Sequence, residues 1–204
     1  IDMNSGAPTF GTPEASHILY GAGQLARRLD LPFRSGGALC GSKLPDVQAA
    51  YESSNTLNAA LLGGVNFMLH SCGWLEGGLV SSFEKFVMDA DQLGALHQLA
   101  KGVAIDENAQ AMDAIEEVGP GGHYLGCAHT QKNFKEAFWR SDVLDYKPFE
   151  TWDEEGARDT MLLAAQRIEI LMQNYQKPDL DPAIAEALDA YVVQKKALMP
   201  DSFV

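Results

Sequence analysis

Three features of the sequence predict an α/β fold: two or three β/α units on a parallel sheet, closed by a helical tail. Within the first 102 residues, apolar side chains recur at helical spacing in three segments separated by short apolar runs. Two glycine pairs, Gly36-Gly37 and Gly63-Gly64, punctuate the junctions where strands turn and helices stop. Beyond Gly102 the strand-like runs give out, apart from 123–127, and helical patterns take over. Short connections in a βαβα order put consecutive strands parallel, with helices crossing between them.

Each element has its own signature. Residues 14–30 carry Ile18, Leu19, Ala22, Leu25, Ala26 and Leu29 on one stripe, with Thr12 as N-cap and Pro13 in the first turn. Residues 31–35 are a short strand candidate ending at the Gly36-Gly37 loop. Residues 46–62 read as a helix through Val47, Ala50, Tyr51, Leu57 and Leu61, and Gly63-Gly64 stops it. The run VNFMLH (65–70) reads as a buried parallel strand. After a loop over 71–80, Ser81 or Ser82 caps a helix reaching Lys101, with Phe86, Val87, Ala90, Leu93, Leu96 and His97 on one face. His17 and His97 fall within such stripes and read as packing residues.

The second half is helical. Residues 106–118 form a polar helix, followed by a turn stiffened by Pro120 among Gly119, Gly121 and Gly122. His129 and Thr130 then open a helix on which Phe134, Phe138 and Trp139 share a face. Residues 149–176 and 181–198 are the closing helices, separated by Pro178 and Pro182, with Asp153, Glu154 and Glu155 as a solvated helix start. The chain thus divides into β/α units over 1–102 and a glycine/histidine loop with C-terminal helices over 103–204, within one structural domain.

Composition removes several function classes. A formal net charge of −13 over 204 residues opposes binding to nucleic acid or anionic membrane, which need clustered Lys and Arg. Cys40, Cys72 and Cys127 are odd in number, lack a CxxC pattern and have no partner base by spacing. They read as reduced thiols rather than a disulfide framework or a nucleophile. No apolar run approaches the ~20 residues that span a bilayer, so a cytoplasmic location is expected. The chain opens IDMNSGAPTFGTPE without an initiator Met, and the expectation is a start internal to a longer protein.

Four segments carry a resemblance: GTPE (11–14), SKLPDVQAAYE (42–52), GWLEGGLVSSFEKFVMD (73–89) and GGHYLGCAHTQKNFKEAFWR (121–140). Together they resemble the trimethylamine methyltransferase family, corrinoid-dependent methyltransferases that include glycine betaine methyltransferases. The resemblance runs to about Trp152 and more weakly into the helical tail. It implies the C-terminal part of a (β/α)8 TIM-type barrel followed by a helical tail, in a family about twice this length. Barrel sites lie at the C-terminal ends of strands. The mouth would then be built by 4–9, 36–43 and 70–78, with 121–129 packing there too. A severed barrel leaves sheet edges uncovered, so association with missing strands or a homo-oligomer is expected.

The implied reaction moves a methyl group from a quaternary or tertiary methylamine to a cobalt(I) corrinoid on a cognate partner protein. Tertiary-amine members activate substrate with pyrrolysine. This chain contains only standard residues, which favours a quaternary amine such as a betaine. A quaternary ammonium leaves as a neutral amine, so its site needs positioning rather than an added electrophile. Aromatic faces hold such a cation, and Phe67, Trp74 and Tyr124 are the candidates. A betaine carboxylate needs a donor, for which Lys43, His70 and His123 serve.

Alternatives stand beside each assignment. His70, at a strand end, is catalytic or a satisfied structural histidine. Trp74 lines a cation cage or caps the core. Glu76 neutralises a cation or binds a backbone amide. His123 and His129 contact substrate or corrinoid, shape their loop, or join Cys127 in a metal cluster whose spacing matches no standard zinc pattern; no metal is assigned. At the level of function, the alternative to an enzyme is a non-catalytic amine-binding or corrinoid-protein-docking module. A generic barrel lyase or hydrolase lacks a recognisable triad or carboxylate pair.

Overall fold

The computed structural model describes residues 1–199 and separates into two compact units, Ile1–Ile170 and Leu171–Val204. Its first helix, α1 (Pro13–Arg28), begins where the sequence puts it, with extended Thr12 as N-cap and Pro13 in the first turn. Arg27 and Arg28 occupy its last turn, where cations suit the helix dipole. Gly23 is the buried point of α1 against α2 (Val47–Leu62). A Cβ on Gly23 would lie 2.6 Å from the Gly63 carbonyl oxygen, which also accepts from the Arg27 guanidinium. Gly23→Ala is therefore expected to cost ~1–3 kcal/mol in chemical denaturation, despite alanine's better helix propensity.

Strands β1 (Arg34–Gly36) and β2 (Phe67–Leu69) pair in parallel, Arg34 with Phe67, Ser35 with Met68 and Gly36 with Leu69. Helix α2 crosses between them, so the molecule is mixed α/β with a β1–α2–β2 unit. The first strand starts later than expected: Pro32 has no amide to donate, and Phe33 pairs instead with Asn66 through both backbone and side chain. Nor is the second strand buried throughout, since Phe67 is 60% exposed in a sheet of two strands.

Helix α2 is capped as its sequence requires, with the Asp46 carboxylate accepting from the Ala49 amide at 3.0 Å. Its buried face overlaps the expected one only at Leu57 and Leu61. Val47 and Tyr51 are exposed, whereas Ala49, Ser53, Thr56, Leu57, Ala59 and Ala60 point inward. Small side chains let the 38–40 segment approach closely. Thr56 and Ser53 donate their hydroxyls to backbone oxygens, including Ala38 at 3.3 Å from Ser53. Ala38, Leu57 and Leu96 form one core cluster, flanked by Leu61, Met68 and Leu93; Cys40, Ala49 and Leu75 form another.

The expected 71–80 loop holds a small hairpin, β3 (Trp74–Leu75) with β4 (Val80–Ser81), around a 3-10 turn at Glu76–Gly78. Ser82 then caps α3 (Phe83–Ala100), accepting from the Lys85 amide at 3.3 Å. Here too the inward face is only part of the expected stripe, with Leu93 and Leu96 in the core. Phe86 is 55% exposed, while Lys85, Asp89 and Leu96 are buried. An i,i+4 ion pair makes that inversion tolerable. His17 and His97 are exposed rather than packed.

The expected polar helix is two helices, α4 (Glu107–Gln110) and α5 (Met112–Val118), broken by left-handed Ala111. Helix α6 (Ala128–Asn133) stops before the aromatic residues meant to share its face: Phe134 is exposed, and so is Phe138 at 82%. Trp139 lies against Gly94 of α3 instead. Residues 123–127 are turns and bends, not a strand. The expected 149–176 helix is split into α7 (Phe149–Glu154) and α8 (Thr160–Gln173), where Gly156 and Ala157 take positive φ. Asp153, Glu154 and Glu155 thus close a helix, and the Glu155 carboxylate accepts from Lys147 and Arg158. In the second unit, Asp181 caps α9 (Pro182–Leu198) by accepting from the Ala183 amide at 2.9 Å. Among the described residues, no helix is long and apolar enough to cross a membrane.

Candidate functional site

The parallel strands deliver two loops side by side. The 36–43 loop leaves β1 and the 70–78 loop leaves β2, and backbone bonds fasten one to the other. Gly37 N donates to Leu69 O at 3.0 Å, Glu76 N to Ser42 O at 2.7 Å and Gly77 N to Cys40 O at 2.8 Å. The Cys40 thiol adds a contact to Trp74 O at 3.3 Å. Helix α2 braces the first loop through Glu52, whose carboxylate accepts from Gly41 N at 2.6 Å and from Gln48. Pro8 and Phe10 lie beside Gly77 and bring the N-terminal segment to the same place.

His70 and Trp74 meet on this platform, and Glu76 lies two residues further along the same loop. The imidazole of His70 stands edge-on to the Trp74 indole, with centroids 5.5 Å apart at an interplanar angle of 70°. His70 is exposed, whereas Trp74 and Glu76 are half-buried. Ring contact aside, no hydrogen bond or ion pair engages the His70 imidazole or the Glu76 carboxylate among the described residues. Both residues also hold left-handed backbone, His70 at φ 54° and Glu76 at φ 49°. That conformation costs a non-glycine residue ~1–2 kcal/mol, and such strain concentrates at functional loops. His70→Gly is accordingly expected to unfold ~1 kcal/mol harder than His70→Ala, in paired denaturant titrations.

The other sequence-chosen residues divide. The Lys43 ammonium, exposed, donates to Gly41 O at 2.9 Å within the first loop. Phe67 opens β2, the end opposite the one from which the 70–78 loop leaves. The histidine loop is engaged elsewhere: His129 Nε2 lies 2.7 Å from Asn108 O on α4. With Lys132, Glu107, Asp113 and Glu117, His129 lines a cavity of about 660 Å³ whose walls include none of Lys43, His70, Trp74 or Glu76. His123 and Tyr124 are exposed. No group of three or more His, Cys, Asp or Glu among the described residues is arranged to hold a metal ion.

The thiols carry different environments. Burial pushes Cys40 up and Cys72 up to about 11, so both stay protonated at neutral pH. The Thr130 hydroxyl, 3.3 Å from Cys127, holds that thiol below its ordinary value.

Sequence reasoning passed over the residues that hold the platform in place. Beneath it, Lys85 and Asp89 of α3 form a buried ion pair at 2.5 Å. Lys85 Nζ also donates to Ser53 Oγ of α2 at 2.8 Å, and Asp89 accepts from Gly73 N at 2.9 Å. Glu52, Ser53, Lys85 and Asp89 are polar residues at helical positions, which read as solvent-facing. The one available signal was the i,i+4 Lys85–Asp89 spacing inside an otherwise apolar helix.

A model of the family described as trimethylamine methyltransferase (MTTB) matches residues 1–200. Glycine betaine methyltransferase of Desulfitobacterium hafniense (strain Y51) is 43% identical over 194 residues, covering 95% of this chain and 40% of that protein. Proline betaine:corrinoid methyltransferase of Eubacterium limosum is 32% identical, covering 94% of this chain and 40% of that protein. Trimethylamine methyltransferase MttB of Methanosarcina barkeri (strain Fusaro / DSM 804) is 28% identical, covering 94% and 38%. The chain therefore spans about two fifths of the length of the curated relatives it matches.

Proposed function

Because the chain belongs to the trimethylamine methyltransferase family, we propose that it forms part of an enzyme moving a methyl group from a quaternary methylamine to a corrinoid-bearing partner protein. A betaine is the proposed substrate class, and two of the relatives carry betaine in their names. The observation that carries the reading is the His70–Trp74 ring contact beyond the end of β2, with the uncommitted Glu76 carboxylate on the same loop. Trp74 receives the ammonium, Glu76 supplies the counter-charge and His70 donates to the substrate carboxylate.

The corrinoid on the partner protein supplies the cobalt nucleophile. Around His70 the site is exposed, which suits an acceptor that arrives on a second protein. Because the departing amine is neutral, the residues here act by orientation and by removing water from the ammonium, not by proton transfer. Lys43 of the adjoining first loop is a further proposed substrate contact, with His123 and Tyr124 proposed from the 121–129 loop.

The same reading makes the β1–α2–β2 unit a section of a (β/α)8 TIM-type barrel. In support, the strands are parallel, the candidate site lies at their C-terminal ends and Phe67 is open on a sheet of two strands. Residues 1–102 then contribute barrel units and 103–204 the covering loop and helices. Homo-oligomer formation and a cytoplasmic location belong to this proposal.

Calorimetric titration of the native protein carrying this chain tests the site. Glycine betaine, proline betaine, carnitine or choline is expected to bind, and Glu76→Gln to weaken that binding by ~1 kcal/mol. Equal affinity in Glu76→Gln removes Glu76 from the site. Silence from every quaternary amine overturns the reading. Binding without methyl transfer favours an amine-binding or corrinoid-protein-docking module.

A further inference from the structure

Below the platform lies a buried charge pair, which with Ser53, Asp91 and Val143 lines a cavity of about 510 Å³. Lys85 is 2% exposed and Asp89 6%, and they are the charged residues in a core of apolar side chains with Ser42, Ser53 and Thr56, among the described residues. Two buried ions are costly unless their polar atoms are engaged, and here Lys85 Nζ and Asp89 Oδ2 each have two partners. Lys85 Nζ holds Asp89 Oδ2 and Ser53 Oγ, and Ser53 in turn donates to Ala38 O of the first loop. Asp89 Oδ2 accepts from Gly73 N, the residue immediately before Trp74. Gly73 sits at φ 83° with Phe86 of α3 3.1 Å from where a Cβ would be. No other residue type fits between α3 and the loop without strain.

We propose that Lys85 and Asp89 are positioning residues for the site: Asp89 anchors the 70–78 loop through Gly73, and Lys85 aims Asp89 and ties it to the first loop through Ser53. Chains of buried bonds restrict both loops relative to two helices, which fixes the angle at which Trp74 and His70 face a ligand. The role rests on the methyl-donor reading of that site. A pair kept only for stability has no need to spend its carboxylate on a loop amide.

Two double variants separate the anchor from the ion pair. Lys85→Met/Asp89→Asn removes both charges but keeps an amide oxygen for Gly73 N, whereas Lys85→Met/Asp89→Leu removes the acceptor as well. In the native protein, the Leu variant is expected to raise the methyl-donor KM about tenfold with thermal midpoint matched to the Asn variant. The Asn variant, which keeps the acceptor for Gly73 N but loses the Lys85–Ser53 tie, should raise KM only about twofold. Hydrogen exchange at the Gly73 amide provides a readout independent of turnover, faster in the Leu variant and protected in the Asn variant. Equal KM and equal exchange in the two variants overturn the proposal. Where the Leu variant does not fold, the unmodified protein decides: a Gly73 amide exchanging at an unprotected loop rate contradicts the anchor, and a protected one supports it. If no amine turns over in the unmodified protein while exchange behaves as expected, the methyl-donor reading fails and the anchor stands.

Discussion

Lys85→Met is expected to lower folding stability by ~3–5 kcal/mol, because it strands the Asp89 carboxylate in the core without its counter-ion. For a chain of this size that is on the order of a 10 °C loss in thermal midpoint. Replacing both partners, as Lys85→Met/Asp89→Leu, should recover most of it, since a well-packed apolar pair avoids the desolvation cost altogether. The penalty in Lys85→Met should also depend on pH. Burial already pushes the Asp89 carboxyl up while Lys85 pulls it down, so losing Lys85 lifts it further. A carboxyl raised in the folded state binds a proton more readily there than in the unfolded chain. Its contribution is therefore most favourable below the ordinary carboxylate range and is lost as pH rises through the folded value. Denaturation at pH 5 and pH 8 checks the sign: Lys85→Met should lie closer to the unmodified protein at the lower pH.

Trp74→Ala is expected to weaken quaternary-amine binding about tenfold, the equivalent of ~1.4 kcal/mol and within the span of one desolvated cation–π contact. Trp74→Phe, which keeps a smaller π face, should fall between. The backbone around Trp74 is held by Gly73 N on Asp89 and by the Cys40 thiol on Trp74 O, neither of which uses the indole. Loss of affinity should thus come without loss of the cooperative unfolding transition. Titration calorimetry with glycine betaine on the three proteins measures it. Unchanged affinity in Trp74→Ala would take the indole out of the cage.

Much of the fold was readable because local chemistry announces itself. Asp46 and Ser82 are caps with one obvious job, Pro13 suits a first turn, and Gly63-Gly64 ends α2 where apolar periodicity stops. Parallel pairing followed from a helix lying between two short apolar runs. What could not be read were faces and breaks. In α2 and α3 the inward side carries Ser53, Thr56, Lys85 and Asp89, whose burial depends on partners distant in sequence. A periodicity rule assigns such residues to solvent. The breaks at Ala111 and Ala157 place alanine in left-handed backbone, for which alanine gives no signal.

At the site, His70, Trp74 and Glu76 were chosen for lying just beyond a strand end, and the structure brings the first two into ring contact. The strain at His70 and Glu76 and the bracing by Glu52 and Asp89 arise from tertiary bonds between the loops and helices. They were invisible in the sequence. Conversely, the 121–129 loop, with its dense glycine, histidine and aromatic content, looked most like a site. Its one histidine with a ring hydrogen bond, His129, is spent on Asn108 of α4.

Methyl transfer by the native protein carrying this chain tests the central claim most directly. The protein is mixed with a reduced, cobalt(I) corrinoid protein and, in turn, glycine betaine, proline betaine, carnitine, choline and trimethylamine, and corrinoid methylation is followed by absorbance. The expected result is methylation with at least one quaternary amine, slowed in Trp74→Ala, and none with trimethylamine. Methylation with trimethylamine alone, or none from any amine with a corrinoid protein competent toward another donor, would contradict the account.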